Sequence, residues 1–136
     1  MLQRIQSIWL LLASACAFLT LKLPTYSGTS PEGIPSSKLM GMPDFILTVV
    51  TVIIGVLALV TIFLYNNRKL QFRFCLLGIF LEILLIVLYY LQISKFMDGT
   101  YSLTSILHFG VLLFFFLAAK GILNDDKIIR ESNRLR

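Results

Sequence analysis

At 136 residues, 57% hydrophobic and only 14% charged, the chain carries far less charge than the roughly 25% of an ordinary soluble domain. Its apolar residues fall into four blocks of about 20, the length a helix needs to cross a hydrocarbon core of roughly 30 Å, and these blocks use up most of the sequence. That excludes a soluble catalytic or nucleic-acid-binding domain, and the net charge of +5 has to be read by its position along a membrane.

The first run, Ile5 to Leu23, is long enough to span and stops at Pro24, which lacks the N–H a continuing helix needs. Arg4 and Ala13-Ser14-Ala15-Cys16 resemble a cleaved lipoprotein signal, but Ala17-Phe18-Leu19-Thr20-Leu21 stays apolar where such a signal turns polar, so an uncleaved helix is expected. Residues Thr25 to Pro43 hold three of the four prolines, three of the eight glycines and four serines, a composition that favours turns over any regular element. Asp44 can cap the second run, Phe45 to Tyr65, which ends at Asn66 and Asn67. A short basic link with Arg68, Lys69 and Arg73 leads to the third run, Phe74 to Ile93. Asp98-Gly99 signals a turn before the fourth run, from about Leu103 to Leu123. Asn124 can then cap a short C-terminal helix, with Asp125 and Asp126 at its start and Arg130, Arg134 and Arg136 toward its end.

Orientation follows from the basic residues, which translocated segments avoid. With the N-terminus inside, the inner segments hold nine Lys and Arg, against Lys22, Lys38 and Lys95 outside, so both termini are expected in the cytoplasm. The expected fold is all-α: a single integral-membrane domain over 1–136, four helices in a left-handed up-down-up-down bundle, and a short cytoplasmic C-terminal helix. Small and polar residues mark the inward faces of such helices. Thr48, Thr51, Gly55, Ala58, Ile62 and Tyr65 form one stripe of alternating three and four spacing, and Cys75, Gly78, Glu82, Leu85, Tyr89 and Gln92 form another. Gln6, Trp9, Ala13, Cys16 and Thr20 on the first run and Thr104, His108, Val111, Phe115 and Ala118 on the fourth complete the set. Cys16 and Cys75 differ in depth by about 15 Å and are expected to stay free.

Glu82 is the most informative residue, because an acid inside a spanning helix costs a few kcal/mol and marks a partner or a function. Counted from Phe74 it lies about 12 Å from the inner edge, level with Ser14 and Gly55, and it needs a cation or several donors within reach. His108 lies about 8 Å from the outer edge, so direct contact with Glu82 would bridge about 10 Å, and a bond to Thr51 is the expectation for His108. Register or contact with another protein is the expected role of Glu82, with proton or cation transport as the alternative. The chain has one histidine, no metal-ligand cluster, no phosphate-binding loop and no nucleophile with a base. No catalytic residue, metal or cofactor is therefore expected, and the chain reads as a non-enzyme.

The two ends are more specific. The opening Met1-Leu2-Gln3-Arg4-Ile5-Gln6-Ser7-Ile8-Trp9-Leu10-Leu11-Leu12, with Asp125-Asp126-Lys127-Ile128-Ile129-Arg130 and the closing Arg134-Leu135-Arg136, closely resembles the domain of unknown function 4293 family. The resemblance covers essentially the full length, with the helices matching in hydropathy alone and Asn133 standing where an Asp is expected. It implies a small four-helix inner-membrane protein of Bacteroidota and assigns no activity. Beside the lipid bilayer, the expected partners are other inner-membrane or cytosolic subunits or further copies of the chain, with no nucleic acid. Gln3, Arg4, Gln6, Arg130, Arg134 and Arg136 are the candidate cytoplasmic docking residues, and the expected role is that of an accessory or scaffolding subunit, with a small homo-oligomeric transporter or channel using Glu82 as the alternative.

Overall fold

The computed structural model describes residues 2–24, 26–29, 33, 37–39, 45–95 and 98–135. Helix α1 (Leu2–Lys22) is followed by strands β1 (Tyr26–Thr29) and β2 (Ser37–Leu39), then helices α2 (Phe45–Phe63) and α3 (Arg68–Ile93). Strand β3 (Asp98–Tyr101) and one 3-10 turn, Leu103–Ser105, lead into α4 (Ile106–Arg134). Each helix packs on its two neighbours in the cyclic order α1, α2, α3, α4, as in an up-down-up-down bundle. All four are long and apolar enough to cross a membrane, and each spanning segment buries only 28–33% of its residues. The exposed surface along them is rich in Leu, Ile, Val and Phe, the composition of a lipid-facing surface, so this is a multi-pass membrane protein. The same environment explains α2: its Val, Ile and Thr content favours strands in water, but without water every backbone group must bond within its own segment.

The inward stripes of α3 and α4 follow the expected spacing, with Cys75, Gly78, Glu82, Leu85 and Tyr89 buried against His108, Val111, Phe115 and Ala118. On α2 the stripe holds at Thr51, Gly55 and Ala58, while its ends shift by one position to Leu47 and Thr61, leaving Tyr65 exposed. On α1, Gln6, Ala13 and Thr20 are buried as expected, and Leu10, Ser14 and Ala17 replace Trp9 and Cys16, which sit at the edge of the core. Trp9 instead stacks on Phe114 of α4, ring centroids 5.7 Å apart. Both cysteines are free.

Three features differ from the sequence expectation. First, α3 starts at Arg68, six residues before Phe74, because Arg68, Lys69 and Leu70 are good helix formers and the Gln71 N–H already bonds the Asn67 carbonyl at 2.9 Å. Second, no separate C-terminal helix exists: α4 runs unbroken through Asn124, where no Gly or Pro interrupts it, and Asp126 pairs with Arg130 one turn on at 3.0 Å. Third, the Pro- and Gly-rich connection contributes to a three-stranded antiparallel sheet of order β2-β1-β3 at the end opposite the chain termini. Asp98-Gly99 lies inside β3 rather than at a turn. Gly28 and Gly99 are register partners, and a Cβ on either would run into the opposing backbone, so the glycines serve close approach of strands. Beside them the paired Tyr26 and Tyr101 meet edge to face at 5.3 Å. The capping expectation for Asp44 falls outside the described residues.

Candidate functional site

Glu82 and His108 come together. His108 Nδ1 and Glu82 Oε1 share a hydrogen bond of 2.9 Å between α3 and α4, with side chains 5% and 1% exposed. This corrects the expectation of a 10 Å separation. Depth counted from presumed membrane edges failed because helix packing, not helix ends, sets the register. Gly78 lies against the Phe115 ring, which puts His108 roughly one turn, about 4.5 Å, from the level of Glu82. Thr51 is not the partner of His108, since its hydroxyl donates to the Leu47 carbonyl of its own helix at 2.7 Å. Thr20 and Thr61 turn back in the same way, onto Ala17 and Leu57.

The pair can be neutral as a whole in two ways, as carboxylic acid with imidazole or as carboxylate with imidazolium. Either is far cheaper in a low-dielectric interior than one uncompensated charge. Where the Glu82 hydroxyl donates to Nδ1, and equally in the carboxylate and imidazolium form, Nε2 carries a hydrogen, whereas an Nδ1–H donating to the carbonyl oxygen of the acid leaves Nε2 bare. Nε2 is buried and finds no acceptor among the described residues. The Tyr89 ring lies over the imidazole at 4.8 Å, tilted by 52°, and limits how it can turn. Beside this pair, between the C-terminal end of α3 and the N-terminal end of α4, is a cavity of about 280 Å³ walled by Tyr89, Tyr90, Tyr101, His108 and Phe109 among others. Among the described residues no group of three or more His, Cys, Asp or Glu side chains stands where it could hold a metal ion.

At the other end, the candidate docking residues separate. Gln6 faces the interior, 4% exposed, packed against Gly121 of α4, so it is a contact between helices and not part of an exposed face. Arg130 and Arg134 are exposed near the end of α4, Arg130 held by Asp126. Gln3 and Arg4 belong to the first turns of α1, and Arg136 falls outside the described residues.

Gln71 and Asp125 are buried polar residues that the sequence reading leaves out of the core, while Ser14 and Thr61 lie one position off the expected stripes. Gln71 donates from Nε2 to the Thr61 carbonyl at 3.2 Å, a second donor to an oxygen in the last turn of α2 that the Leu64 N–H also reaches at 3.3 Å. Its signal was present, four residues before Cys75 on the same stripe, once α3 is started at Arg68. Asp125, expected to begin a tail helix, continues the α4 stripe and is 9% exposed. The Gln6 contact with Gly121 sets it level with the first turn of α1, where a carboxylate offsets the positive helix end.

No curated protein and no solved structure matches the chain. A family model described as "Domain of unknown function (DUF4293)" matches residues 2–135. The chain therefore belongs to that family, at full length, as the motifs at its two ends indicate.

Proposed function

We propose that the protein is a non-enzymatic accessory or scaffolding subunit of a bacterial inner-membrane complex, with both termini in the cytoplasm. The nine-to-three division of basic residues supports the orientation. The observation that carries the role is the far end of α4. Of its 29 residues about 20 suffice to span, and the remainder continues beyond that length, with Ile129 and Arg130 beside Arg68 and Lys69 at the start of α3. This stretch leaves Ile128, Ile129 and Leu135 exposed among Lys127, Arg130 and Arg134. Apolar side chains interleaved with cations beyond the spanning length suit contact with another protein. The bundle interior supports the same reading, because Leu10, Leu47, Ile54, Leu85 and Phe115 fill it and leave no path through one copy.

The alternative, a homo-oligomeric proton or cation carrier, draws on the Glu82 and His108 contact, which can hold a proton inside the spanning region. One experiment separates the two: solubilisation of native membranes in mild detergent, comparing the wild type with the double substitution Ile128→Asp and Ile129→Asp. The expected result is a reproducible hetero-assembly that dissociates in the variant while the bundle keeps its thermal stability. An isolated monomer, or an assembly indifferent to the substitutions, would contradict the subunit role. Copies of this chain alone, with proteoliposome flux lost in Glu82→Gln, would select the carrier.

A further inference from the structure

We propose that the cavity between α3 and α4 is a binding site for a lipid-soluble ring compound bearing a carbonyl oxygen, the quinone class, with His108 Nε2 as the donor to that oxygen. The inference rests on the His108 geometry and is independent of the subunit role. Four of the walls are aromatic rings, Tyr89, Tyr90, Tyr101 and Phe109, which present faces and edges suited to another ring rather than to a flexible chain. Tyr90, Tyr101 and Phe109 are also exposed on the outside of the bundle, so the cavity opens sideways to lipid and an apolar ligand reaches it without crossing water. Its volume of about 280 Å³ is at the lower edge of the roughly 300–1,000 Å³ of small-molecule sites, room for a ring head whose tail stays in the bilayer.

The polar element is what selects the ligand. His108 forms part of the wall, while Glu82, which holds Nδ1, does not. With Nδ1 taken by Glu82, the polar atom of His108 that remains is Nε2, which is buried without an acceptor among the described residues and carries a hydrogen whenever Glu82 donates to Nδ1 or the pair is charge-separated. A buried donor gains most from an acceptor brought in on an otherwise apolar body, and a ring carbonyl is such an acceptor. Glu82 acts here as a positioning residue: its bond to Nδ1 fixes the tautomer and orientation of the ring, as a carboxylate behind a histidine does in many sites.

The single histidine makes the test direct. The full chain, labelled with ¹⁵N-histidine, is placed in nanodiscs of ether-linked phospholipid, which contains no carbonyl, and titrated with 2-methyl-1,4-naphthoquinone. The expected result is a saturable displacement of the Nε2 resonance with the Nδ1 resonance nearly still, and no displacement by naphthalene. Ile86→Phe, which fills the cavity from α3 without touching the histidine, is expected to weaken binding about tenfold while leaving the Nδ1 signal of the unliganded protein in place. An Nε2 signal indifferent to the quinone would overturn the proposal. So would one that moves only when ester-linked lipid replaces ether-linked lipid, which would assign the acceptor to the bilayer, or wild-type affinity in Ile86→Phe.

Discussion

Replacing His108 by Leu is expected to destabilise the bundle by about 3 kcal/mol, because it strands Glu82 in the interior without its partner. Glu82→Leu should cost a similar amount by stranding the imidazole. The double substitution Glu82→Leu and His108→Leu, which removes both polar groups and fills the space with hydrocarbon, should return to within about 1 kcal/mol of the wild type. The coupling energy of that double-mutant cycle is the quantity to measure, by equilibrium unfolding in mixed detergent micelles. Glu82→Gln should cost only about 1 kcal/mol, since an amide can still bond Nδ1. Small and additive effects of the two leucine substitutions would mean that the pair does not hold the helices. If hydrocarbon serves almost as well, packing alone does not account for an acid and an imidazole at these positions.

The second large effect lies one turn away. A Cβ on Gly78 would stand 2.5 Å from Cε1 of Phe115, whose ring is fully buried between α3 and α4. Gly78→Val should therefore destabilise by about 2–3 kcal/mol through overpacking. Combining it with Phe115→Leu, which withdraws the ring, should recover a large part of that loss. Helices in lipid gain no hydrophobic advantage from meeting, so close packing at such a glycine carries the association. The same contact sets the level at which Glu82 meets His108. Gly78→Val should consequently displace the imidazole Nδ1 resonance even though no polar group has been altered, and an unchanged resonance would separate the two features.

The helices were legible because lipid makes hydropathy and small-residue spacing nearly sufficient: the stripe from Cys75 to Tyr89 and that from His108 to Ala118 are the buried faces. Relative depth was not legible. Counting from the apolar edge of a run assumes that polar residues end helices, yet Arg68 to Arg73 and Asn124 to Arg134 are helical, with their charged ends free to reach the headgroup region. That assumption separated Glu82 from His108 and hid Gln71 and Asp125. The sheet was missed for a different reason. Gly28 and Gly99 read as turn residues in isolation, and their use becomes apparent only when β1 and β3, about 70 residues apart in the chain, are set side by side. Gln6 stood both on the inward stripe of α1 and among the docking candidates, and its burial against Gly121 of α4 decides for the first.

The chain is expected to cross a bilayer four times with its two ends on one side. Single cysteines placed at Asn66, Asp98 and Ser132, in a background of Cys16→Ala and Cys75→Ala, test this with an impermeant maleimide applied to intact cells and then to opened ones. Labelling of the Asp98 site alone from outside, with the Asn66 and Ser132 sites reacting only after the membrane is opened, is the predicted pattern. Equal reaction of the Asn66 and Asp98 sites from the same side would mean that α3 does not cross, and would contradict the fold and everything built on it.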